Sequence, residues 1–459
     1  MDWGIAAGLL ATTAYEVTLF AAVGMLIGGI DDLIVDGIYL WYRFGRWRRG
    51  ERALSLADMR PRARQMAIFI AAWDEAAVIG RMLATLSRTL ASPRLTVFVG
   101  AYPNDRATID AVVDVAETDP RIRLALNRDP GPTTKADCLN AIWRTMLAEE
   151  RAIGTSFDAV ILHDAEDLVH PGELAVIDHY LAMADAVQVP VVPLPHDGSP
   201  LVGGTYLDEF AEAHGKAMLV RGAVGAGLPL AGVGCAISRP LLGQIAAIRG
   251  YGPFDADSLT EDYELGLTIA AMGGRVQFAR VLDADGRPVA VRAYFPKAFA
   301  AAARQKARWM TGIALAGWDR TGWGRAAHIG EWWMRMRDRR APIDVVVLLA
   351  AYAALALMAI RFSLSLAGVA TPALPPFLLA LLGINTVLLV IRIVVRAGFV
   401  WRLYGWREGL RSTPRMLIGN MVAMAAARHA IAHYIAMLRG APVRWDKTAH
   451  QFPDTPVGR

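Results

Sequence analysis

The chain has 459 residues, of which 54% are hydrophobic, with a mean hydropathy of +0.32 and a formal net charge of +5. This composition is too apolar for an ordinary soluble enzyme and too charged for a bundle made only of membrane helices, so we expect a cytosolic domain joined to membrane segments. Two cysteines, Cys138 and Cys235, are too few for a disulfide framework and fit a reducing cytosol.

The first predicted element is the apolar stretch Ile5–Ile30, which is long enough to cross a bilayer at about 20 residues per span. It lacks the basic start and small-residue cleavage site of a signal peptide, so residues 1–30 are predicted to form an uncleaved transmembrane helix. A basic juxtamembrane linker, 31–61, follows. Its arginines include Arg43, Arg46, Arg48 and Arg49. The positive-inside rule places the N-terminus outside and the next residues in the cytoplasm, which attributes the basic charge to topology rather than to nucleic-acid binding.

Residues 62–297 are predicted to form a cytosolic α/β domain. Short β-rich runs, "MAIFIAAW", "LTVFVGAY" and "DAVILH", alternate with helical patterns at Ala76–Leu90, Ala107–Glu117 and Gly172–Ala184. This alternation is typical of a parallel or mixed sheet with helices on both faces. Ligands bind such sheets at the carboxyl ends of the strands, so the polar residues after each strand are the first candidates for a site.

Polar side chains follow the first two predicted strands. "AAWDE" ends the first strand with Asp74 and Glu75, and "GAYPND" ends the second with Asn104 and Asp105. Because these strand ends lie at the same edge of the sheet, the four side chains are candidates for binding a base and a ribose.

Three carboxylates follow the third strand in "ILHDAEDLVHP": Asp164, Glu166 and Asp167. Crowded carboxylates stay ionised only where a cation or solvent offsets their charge, and Mg²⁺ or Mn²⁺ prefers oxygen ligands and bridges readily to phosphates. The alternative is a solvated acidic turn that caps the next helix. Just upstream, "GPTTKADCLN" supplies Lys135 for a phosphate or uracil oxygen, next to Asp137; the alternatives are a surface lysine and a helix N-terminal acid.

Two further stretches complete the cytosolic candidates. "AGVGCAISR" contains Gly232 and Gly234, which allow close backbone approach or form a tight turn before a core strand. "SLTEDYELG" places Glu261 and Asp262 at a predicted helix start, where they are either functional or a favourable pair of N-terminal acids capped by Thr260.

Residues 298–342 are predicted to form interfacial helices. "RQKARWMTG" puts Gln305, Arg308 and Trp309 on an amphipathic helix close to the membrane. Snorkelling cations with a belt tryptophan are the alternative interpretation of this pattern.

The remaining apolar runs are predicted to be membrane segments. Val345–Ala367 and Phe377–Phe399 form a transmembrane hairpin within 343–400, joined by the uncharged, proline-rich "GVATPALPP". Met416–Leu438, within 401–438, is basic at both ends and is predicted to lie along the cytoplasmic interface, with a fourth crossing as the alternative.

In this order, "AWDE", "DAED", "TED" and "QKARW" resemble a membrane-integrated family-2 inverting glycosyltransferase of the synthase-like type. With "YPND", "KADCLN" and "WDKTAHQFP", nearly the whole chain is similar to the bacterial phage adsorption protein B group. The resemblance implies a GT-A-like domain with three to four transmembrane helices, a nucleotide-sugar donor, and direct displacement at the anomeric carbon. Ala71 and Asp74 depart from the usual P-x-W/Y-N-E motif, and D-A-E-D leaves open whether Glu166 or Asp167 is the second metal ligand.

The resemblance also implies roles for individual residues. Asp262 would be the general base, with Glu261 beside it. Donor-binding residues would be Ala72, Trp73, Glu75, Asn104, Asp105, Lys135, Asp137, Asp164, Arg308, Thr448 and His450. Acceptor-binding residues would be Gly232, Gly234, Gln305 and Trp309, and metal ligands Asp164, Glu166 and Asp167. The terminal segment 439–459 resembles a gating loop through Trp445, Lys447, Thr448 and His450, with a structureless tail as the alternative.

The expected protein is a bacterial inner-membrane enzyme with a cytoplasmic catalytic domain. It would use Mg²⁺ or Mn²⁺ and transfer a sugar from UDP-N-acetylhexosamine or a related UDP-sugar to a growing exported polysaccharide. Expected partners are the donor, a glycan acceptor, membrane lipid and an outer-membrane export partner, but no nucleic acid. The alternatives are single addition to a lipid-linked acceptor such as polyprenyl phosphate, and a catalytically silent receptor or scaffold for an envelope partner. Longer members of the group carry a further cytosolic domain, so control through it is expected to be absent or supplied by another protein.

Overall fold

The computed structural model describes residues 3–324, 327–369, 371–441 and 450–453, with side chains from Gly8 onward. The strands are β1 (Met66–Ala71), β2 (Leu95–Ala101), β3 (Ile122–Leu126), β4 (Ala159–His163), β5 (Ala186–Gln188), β6 (Val191–Pro193), β7 (Cys235–Ser238), β8 (Val276–Phe278) and β9 (Val291–Ala293). The helices are α1 (Trp3–Arg48), α2 (Ile79–Thr89), α3 (Arg106–Ala116), α4 (Lys135–Ile153), α5 (Glu173–Tyr180), α6 (Val202–Glu212), α7 (Met218–Ala223), α8 (Arg239–Arg249), α9 (Glu261–Ala271), α10 (Phe299–Trp309), α11 (Gly317–Thr321), α12 (Ile329–Arg339), α13 (Ala341–Leu366), α14 (Pro376–Tyr404) and α15 (Trp406–Leu438). Short π-helical segments, Ala213–Ala217 and Met310–Leu315, follow α6 and α10.

Seven strands form a mixed sheet in the order β3-β2-β1-β4-β7-β5-β8, and β6 pairs with β9 beside it. The first four strands are parallel, whereas β7 runs antiparallel to both β4 and β5. The chain moves outward from β1 to β3 and then returns through α4 to β4, next to β1. The carboxyl ends of β1 and β4 therefore flank a crevice at the point where the strand order reverses. This topology confirms the predicted α/β class.

Helices cover both faces of the sheet, as the alternating pattern predicts. Ile68 of β1 lies in one apolar core with Met82 of α2 and Ile177 of α5. The next residue, Phe69, lies in the other core with Ile142 of α4. Successive side chains of a strand point to opposite faces, so β1 contributes to both cores and fixes the crevice between two packed layers.

Within the described residues, four helices are long and apolar enough to cross a membrane: α1, α13, α14 and α15. The fourth, which the sequence predicts to lie along the interface, meets the same criterion of length and composition. Helix α1 continues unbroken to Arg48, so residues 31–48 of the predicted linker are helical. Gly24 allows α1 to approach α13 closely, since a Cβ there would lie 2.6 Å from Cγ2 of Val347.

Acidic residues in the C-terminal half of α1 pair with Arg337 of α12 and with Arg340, which follows α12. Asp32 accepts hydrogen bonds from Arg337 and Arg340 at 2.9 and 3.0 Å, and Asp31 pairs with the same two guanidinium groups. These partners explain how the helix continues past the apolar stretch, because the aspartates are neutralised by a neighbouring element.

A second cluster joins α6, α14 and α1. Lys216 donates to Glu212 at 2.7 Å and also pairs with Asp36 of α1, and Arg392 of α14 pairs with Glu212. We call the two clusters the membrane-proximal ion-pair network. The network connects two candidate membrane helices to the α/β domain.

Arg415 connects α15 to α6. Its side chain is fully buried, donates to Asp208 at 3.0 Å and to the carbonyl of Pro200 at 2.7 Å, and pairs with Glu408. Burial raises the pKa of Asp208 to about 6. On the same helix, Arg411 makes only a surface pair with Glu408 at 2.6 Å. The buried pair is therefore the polar contact that holds α15 against the domain from inside.

Candidate active site

The loop after β4 is closed by a buried hydrogen-bond chain. Oδ2 of Asp167 accepts from the amide of Asp164 at 2.9 Å and from Nδ1 of His163 at 3.0 Å. Nε2 of His163 donates to Oε1 of Glu173, in the first turn of α5, at 2.8 Å. Burial alone would lower the pKa of His163, but the carboxylates of Glu173 and Asp167 raise it to about 10. Asp167, a predicted metal ligand, borders the cavity described below, but its Oδ2 is thus engaged by the loop itself.

Lys135 lies opposite Asp164. Its position is fixed at the start of α4 by a capping box, in which the Thr134 side chain accepts from the Asp137 amide and the Asp137 carboxylate accepts from the Thr134 amide. The ammonium group lies 2.5 Å from Oδ1 of Asp164. Although burial raises the pKa of Asp164, this ammonium group brings it below its usual value. Asp137, a predicted donor-binding residue, has the N-terminal capping role that the sequence left open as its alternative.

Glu75, Glu166 and His450 form a compact cluster above the ends of β1 and β4. Nδ1 of His450 lies 2.8 Å from Oε1 of Glu75 and 3.2 Å from Oε2 of Glu166. One ligand atom from each residue lies within 4.8 Å of the others, which fits a divalent cation. Burial raises the pKa of Glu166 to about 8, and its Oε2 has no hydrogen bond among the residues described. Two carboxylates and an imidazole suit Mn²⁺, and the carboxylates alone suit Mg²⁺.

The predicted base, Asp262, lies in the first turn of α9 against Gly232. Gly232 has φ +73°, and a Cβ there would overlap Oδ2 of Asp262 and lie 3.2 Å from its Cγ. Burial raises the pKa of Asp262 and raises that of neighbouring Glu261 to about 7. Thr260 occupies the N-cap position, but its side chain makes no capping hydrogen bond, contrary to the cap considered from sequence. Gly232 therefore makes the space in which the carboxylate sits.

Helix α9 is tied to the helices near the membrane through Tyr263. The Tyr263 hydroxyl donates to Asp338 of α12 at 2.6 Å, and Arg221 of α7 donates to the same carboxylate at 2.8 Å. The residue next to the predicted base is thus anchored to α12, which carries Arg337 of the membrane-proximal ion-pair network.

Helix α10 brings Gln305, Arg308 and Trp309 to the wall of one cavity of about 650 Å³. Trp309 meets the ring of Tyr206 edge-on at 6.1 Å, and Oε1 of Gln305 is buried without a hydrogen bond in the described part of the chain. The predicted site residues on the same cavity wall are Lys135, Asp164, Glu166, Asp167, Glu261, Asp262, Gln305, Arg308, Trp309 and His450. Carboxylates, cations and an aromatic face thus line one space, as nucleotide-sugar chemistry requires.

Other predicted donor residues hold loops together instead of lining this cavity. Asn104 exchanges two hydrogen bonds of 2.8 Å with the backbone of Gly131, and Asp105 accepts from the Asp74 amide at 2.5 Å. Trp73 packs edge-on against Tyr102 at 5.2 Å. These contacts join the loops after β1, β2 and β3. Of the four side chains expected to bind a base and ribose, Asn104 and Asp105 therefore hydrogen-bond to backbone groups of the site.

The other predicted site residues lie in different environments. Ala72 is buried, and its amide donates to the Gly100 carbonyl at 2.8 Å. Gly234, expected in the acceptor floor, packs in the core, where a Cβ would lie 2.5 Å from Val291. Thr448, with Trp445 and Lys447, lies outside the described residues. Sequence reasoning missed His163 and Glu173, although His163 directly precedes the acidic motif.

Comparison with known proteins identifies relatives of this arrangement. Residues 61–312 match the family described as glycosyltransferase like family 2. The chain is 34% identical over 488 aligned positions to bacteriophage adsorption protein B of Escherichia coli K12 and to bacteriophage N4 adsorption protein B of Escherichia coli O157:H7. The alignment covers 99% of this chain and 64% of each relative, so the chain spans somewhat less than two thirds of their length.

A solved structure confirms the predicted GT-A-like fold. The mannosyltransferase PcManGT from Pyrobaculum calidifontis, in complex with GDP-Man and Mn²⁺, superposes with a TM-score of 0.54 at 18% identity. The match covers 90% of this chain and 99% of the mannosyltransferase. At this identity the likeness concerns the fold alone.

Proposed function

The chain belongs to the glycosyltransferase-like family 2, and on that premise we propose that it transfers a sugar from a nucleotide-sugar donor, with inversion, to a growing exported polysaccharide. The donor is a UDP-sugar, of the UDP-N-acetylhexosamine class. The protein works in the bacterial inner membrane with its α/β domain in the cytoplasm, where nucleotide sugars are made, and it hands its product to an outer-membrane export partner.

The observation that carries this proposal is the composition of the cavity wall. Asp262, Lys135 and Arg308 line the same space, together with Trp309. A carboxylate base, two cations for a diphosphate and a flat apolar face for a sugar are the groups that glycosyl transfer needs. A catalytically silent scaffold would not need these four side chains to line the same cavity.

The residues act in one displacement. Asp262 accepts the proton of the acceptor hydroxyl as its oxygen bonds to the anomeric carbon of the donor. The bond from that carbon to the diphosphate oxygen breaks, and its electron pair leaves with the nucleoside diphosphate. Lys135 and Arg308 offset the charge that grows on this leaving group, while Trp309 presents its ring to the acceptor sugar.

Glu75, Glu166 and His450, with Asp164 close by, would hold Mg²⁺ or Mn²⁺. When bound, such an ion supplies Lewis-acid stabilisation of the diphosphate charge. In the structure, the ammonium of Lys135 faces Asp164, and the imidazole of His450 faces Glu75 and Glu166. They keep the acidic groups together, so the site is organised before the donor arrives.

The test is release of UDP by the detergent-purified protein across a panel of UDP-sugars, with Mn²⁺ or Mg²⁺ against a chelator. We expect metal-dependent turnover on one donor and loss of that turnover in Asp164→Ala. Analysis of product length separates polymer synthesis from single addition to a polyprenyl phosphate.

The base assignment is tested by Asp262→Asn, which should lose turnover while it still binds the donor. Asp257→Asn is the matched control, because Asp257 is exposed five residues upstream and undergoes the same change of charge. Absence of turnover on every donor, with membrane lipid added, would favour the scaffold reading instead.

A further inference from the structure

The D-A-E-D motif offers three carboxylates for one metal site, and the sequence leaves the choice between Glu166 and Asp167 open. The structure separates them. Glu166 lies in the cluster with Glu75 and His450, whereas Asp167 accepts the His163 imidazole and the Asp164 amide. The two acidic side chains thus face different partners although they are adjacent in sequence.

Asp167, His163 and Glu173 form a linear hydrogen-bond chain in the interior, with His163 between the two carboxylates. The side chains of His163, Asp167 and Glu173 are 0%, 2% and 0% exposed. Both ring nitrogens of His163 face carboxylate oxygens, at 3.0 and 2.8 Å, so the imidazole is held at both edges and cannot rotate without breaking a buried hydrogen bond. Removal of one partner from such a group leaves an uncompensated buried charge.

The chain also connects three elements of the fold. His163 ends β4, Asp167 lies in the loop that follows β4, and Glu173 begins α5. The Asp167 carboxylate accepts the Asp164 amide, and the Asp167 amide itself donates to the Asp164 carbonyl at 3.2 Å. The turn from Asp164 to Asp167 is therefore closed twice, and its closure depends on a carboxylate that His163 orients.

We propose that His163 and Glu173 are positioning residues that hold Oδ2 of Asp167 against the loop, so that Glu166 is the member of the motif that joins Glu75 and His450 around the divalent cation. This inference rests on the proposed function, since it concerns the same metal site. Groups that orient metal ligands are expected to affect metal affinity about 10–100-fold when they are changed.

Mn²⁺ binding to the full, donor-free protein in detergent tests the proposal, with the signal of free Mn²⁺ followed by electron paramagnetic resonance. Glu173→Gln and His163→Gln should weaken Mn²⁺ binding about 10–100-fold. Excess Mn²⁺ should restore the turnover number of both variants with an unchanged donor KM, which a general folding defect would not allow. Asp164→Ala should not be restored by any Mn²⁺ concentration.

His170→Gln is the matched control. His170 is also buried and follows the same loop, but its Nε2 faces Asp283 at 3.5 Å and it does not contact Asp167 in the described structure. Its Mn²⁺ affinity should match that of the wild-type protein.

Asp167→Asn tests whether Asp167 is a metal ligand. It also replaces Glu173→Gln if that variant does not fold, because asparagine keeps an oxygen that can accept the Asp164 amide. We expect a loss that excess Mn²⁺ reverses. Any one of three results would overturn the inference. The first is wild-type Mn²⁺ affinity in the Glu173 and His163 variants, and the second is an equal loss of affinity in His170→Gln. The third is a loss in Asp167→Asn that excess Mn²⁺ does not reverse. A wild-type protein that binds no Mn²⁺ would overturn the proposed metal site itself, and the inference with it.

Discussion

Substitution of Gly232 by alanine should remove activity through the position of one carboxylate. A Cβ at Gly232 would overlap Oδ2 of Asp262, so the carboxylate must move by roughly 1 Å to reach an ordinary contact distance. A displacement of that size at a reacting group costs about 100-fold in rate, or about 2.7 kcal/mol in the activation barrier. The backbone at φ +73° adds about 1–2 kcal/mol of strain to the folded state.

Gly225→Ala separates the two effects. Gly225 has φ +72°, but no atom lies within 4 Å of a Cβ built there, so this variant carries the strain without the overlap. UDP release and thermal unfolding would be measured for both variants. We expect a similar drop in melting temperature and a loss of turnover confined to Gly232→Ala, with donor binding retained. Equal turnover in the two variants would refute the argument that Gly232 makes room for the base.

Three further outcomes are expected. The ratio kcat/KM should fall as pH drops, and the fall should begin above the ordinary range of an aspartate, because burial raises the pKa of Asp262 and a protonated base cannot accept the acceptor proton; a pH–rate profile that stays flat until that ordinary range would count against this. Mn²⁺ affinity, measured by titration, should rise with pH up to about 9, since Glu166 and Glu75 outweigh the effect of burial and raise the pKa of His450 to about 9, and the imidazole must lose its proton to bind a metal. Arg415→Met should destabilise the fold by about 3–5 kcal/mol because it leaves a buried carboxylate unpaired, whereas Arg411→Met on the same helix should change stability by less than about 1 kcal/mol.

The α/β domain could be predicted because its strands carry strong local signals. "MAIFIA" and "LTVFVGA" are apolar on both faces, as strands buried between two helix layers must be, and they became β1 and β2. The antiparallel β7 was considered only as an alternative, the core strand after a tight turn at Gly232 and Gly234. The three-residue β5 and β8 could not be located, since such short strands are defined by their neighbours and not by their own sequence.

Part of the candidate site could be predicted from the strand ends and from the order of the family-like motifs. Asp164, Glu166, Asp262 and Arg308 line one cavity, as their order in the family-like motifs led us to expect. What each carboxylate faces could not be deduced, because it depends on distant partners: His450 reaches Glu75 across 375 residues of sequence.

Residues with two possible uses were the hardest to assign. Asn104 and Asp137 are polar residues at strand and helix ends, where they can bind a ligand or satisfy the backbone. In the structure both side chains hydrogen-bond to backbone groups, Asn104 to Gly131 and Asp137 within the α4 capping box. Sequence spacing alone does not distinguish the two uses, since the same residue types serve both.

The membrane-proximal ion-pair network predicts that bilayer thickness affects the proposed catalysis. Arg392 lies 16 positions after Pro376, about 24 Å along α14 at 1.5 Å per residue, and this stretch is close to the hydrocarbon depth that a helix must span. Because Arg392 of α14 pairs with Glu212 and Asp36 of α1 pairs with Lys216, both in the α/β domain, a thinner or thicker bilayer is not expected to be matched by sliding these helices past the domain. The helices must tilt instead, and the strain passes through α12 to Asp338 and Tyr263, beside the base. Lipid acyl-chain length should thus tune the turnover of the reconstituted protein.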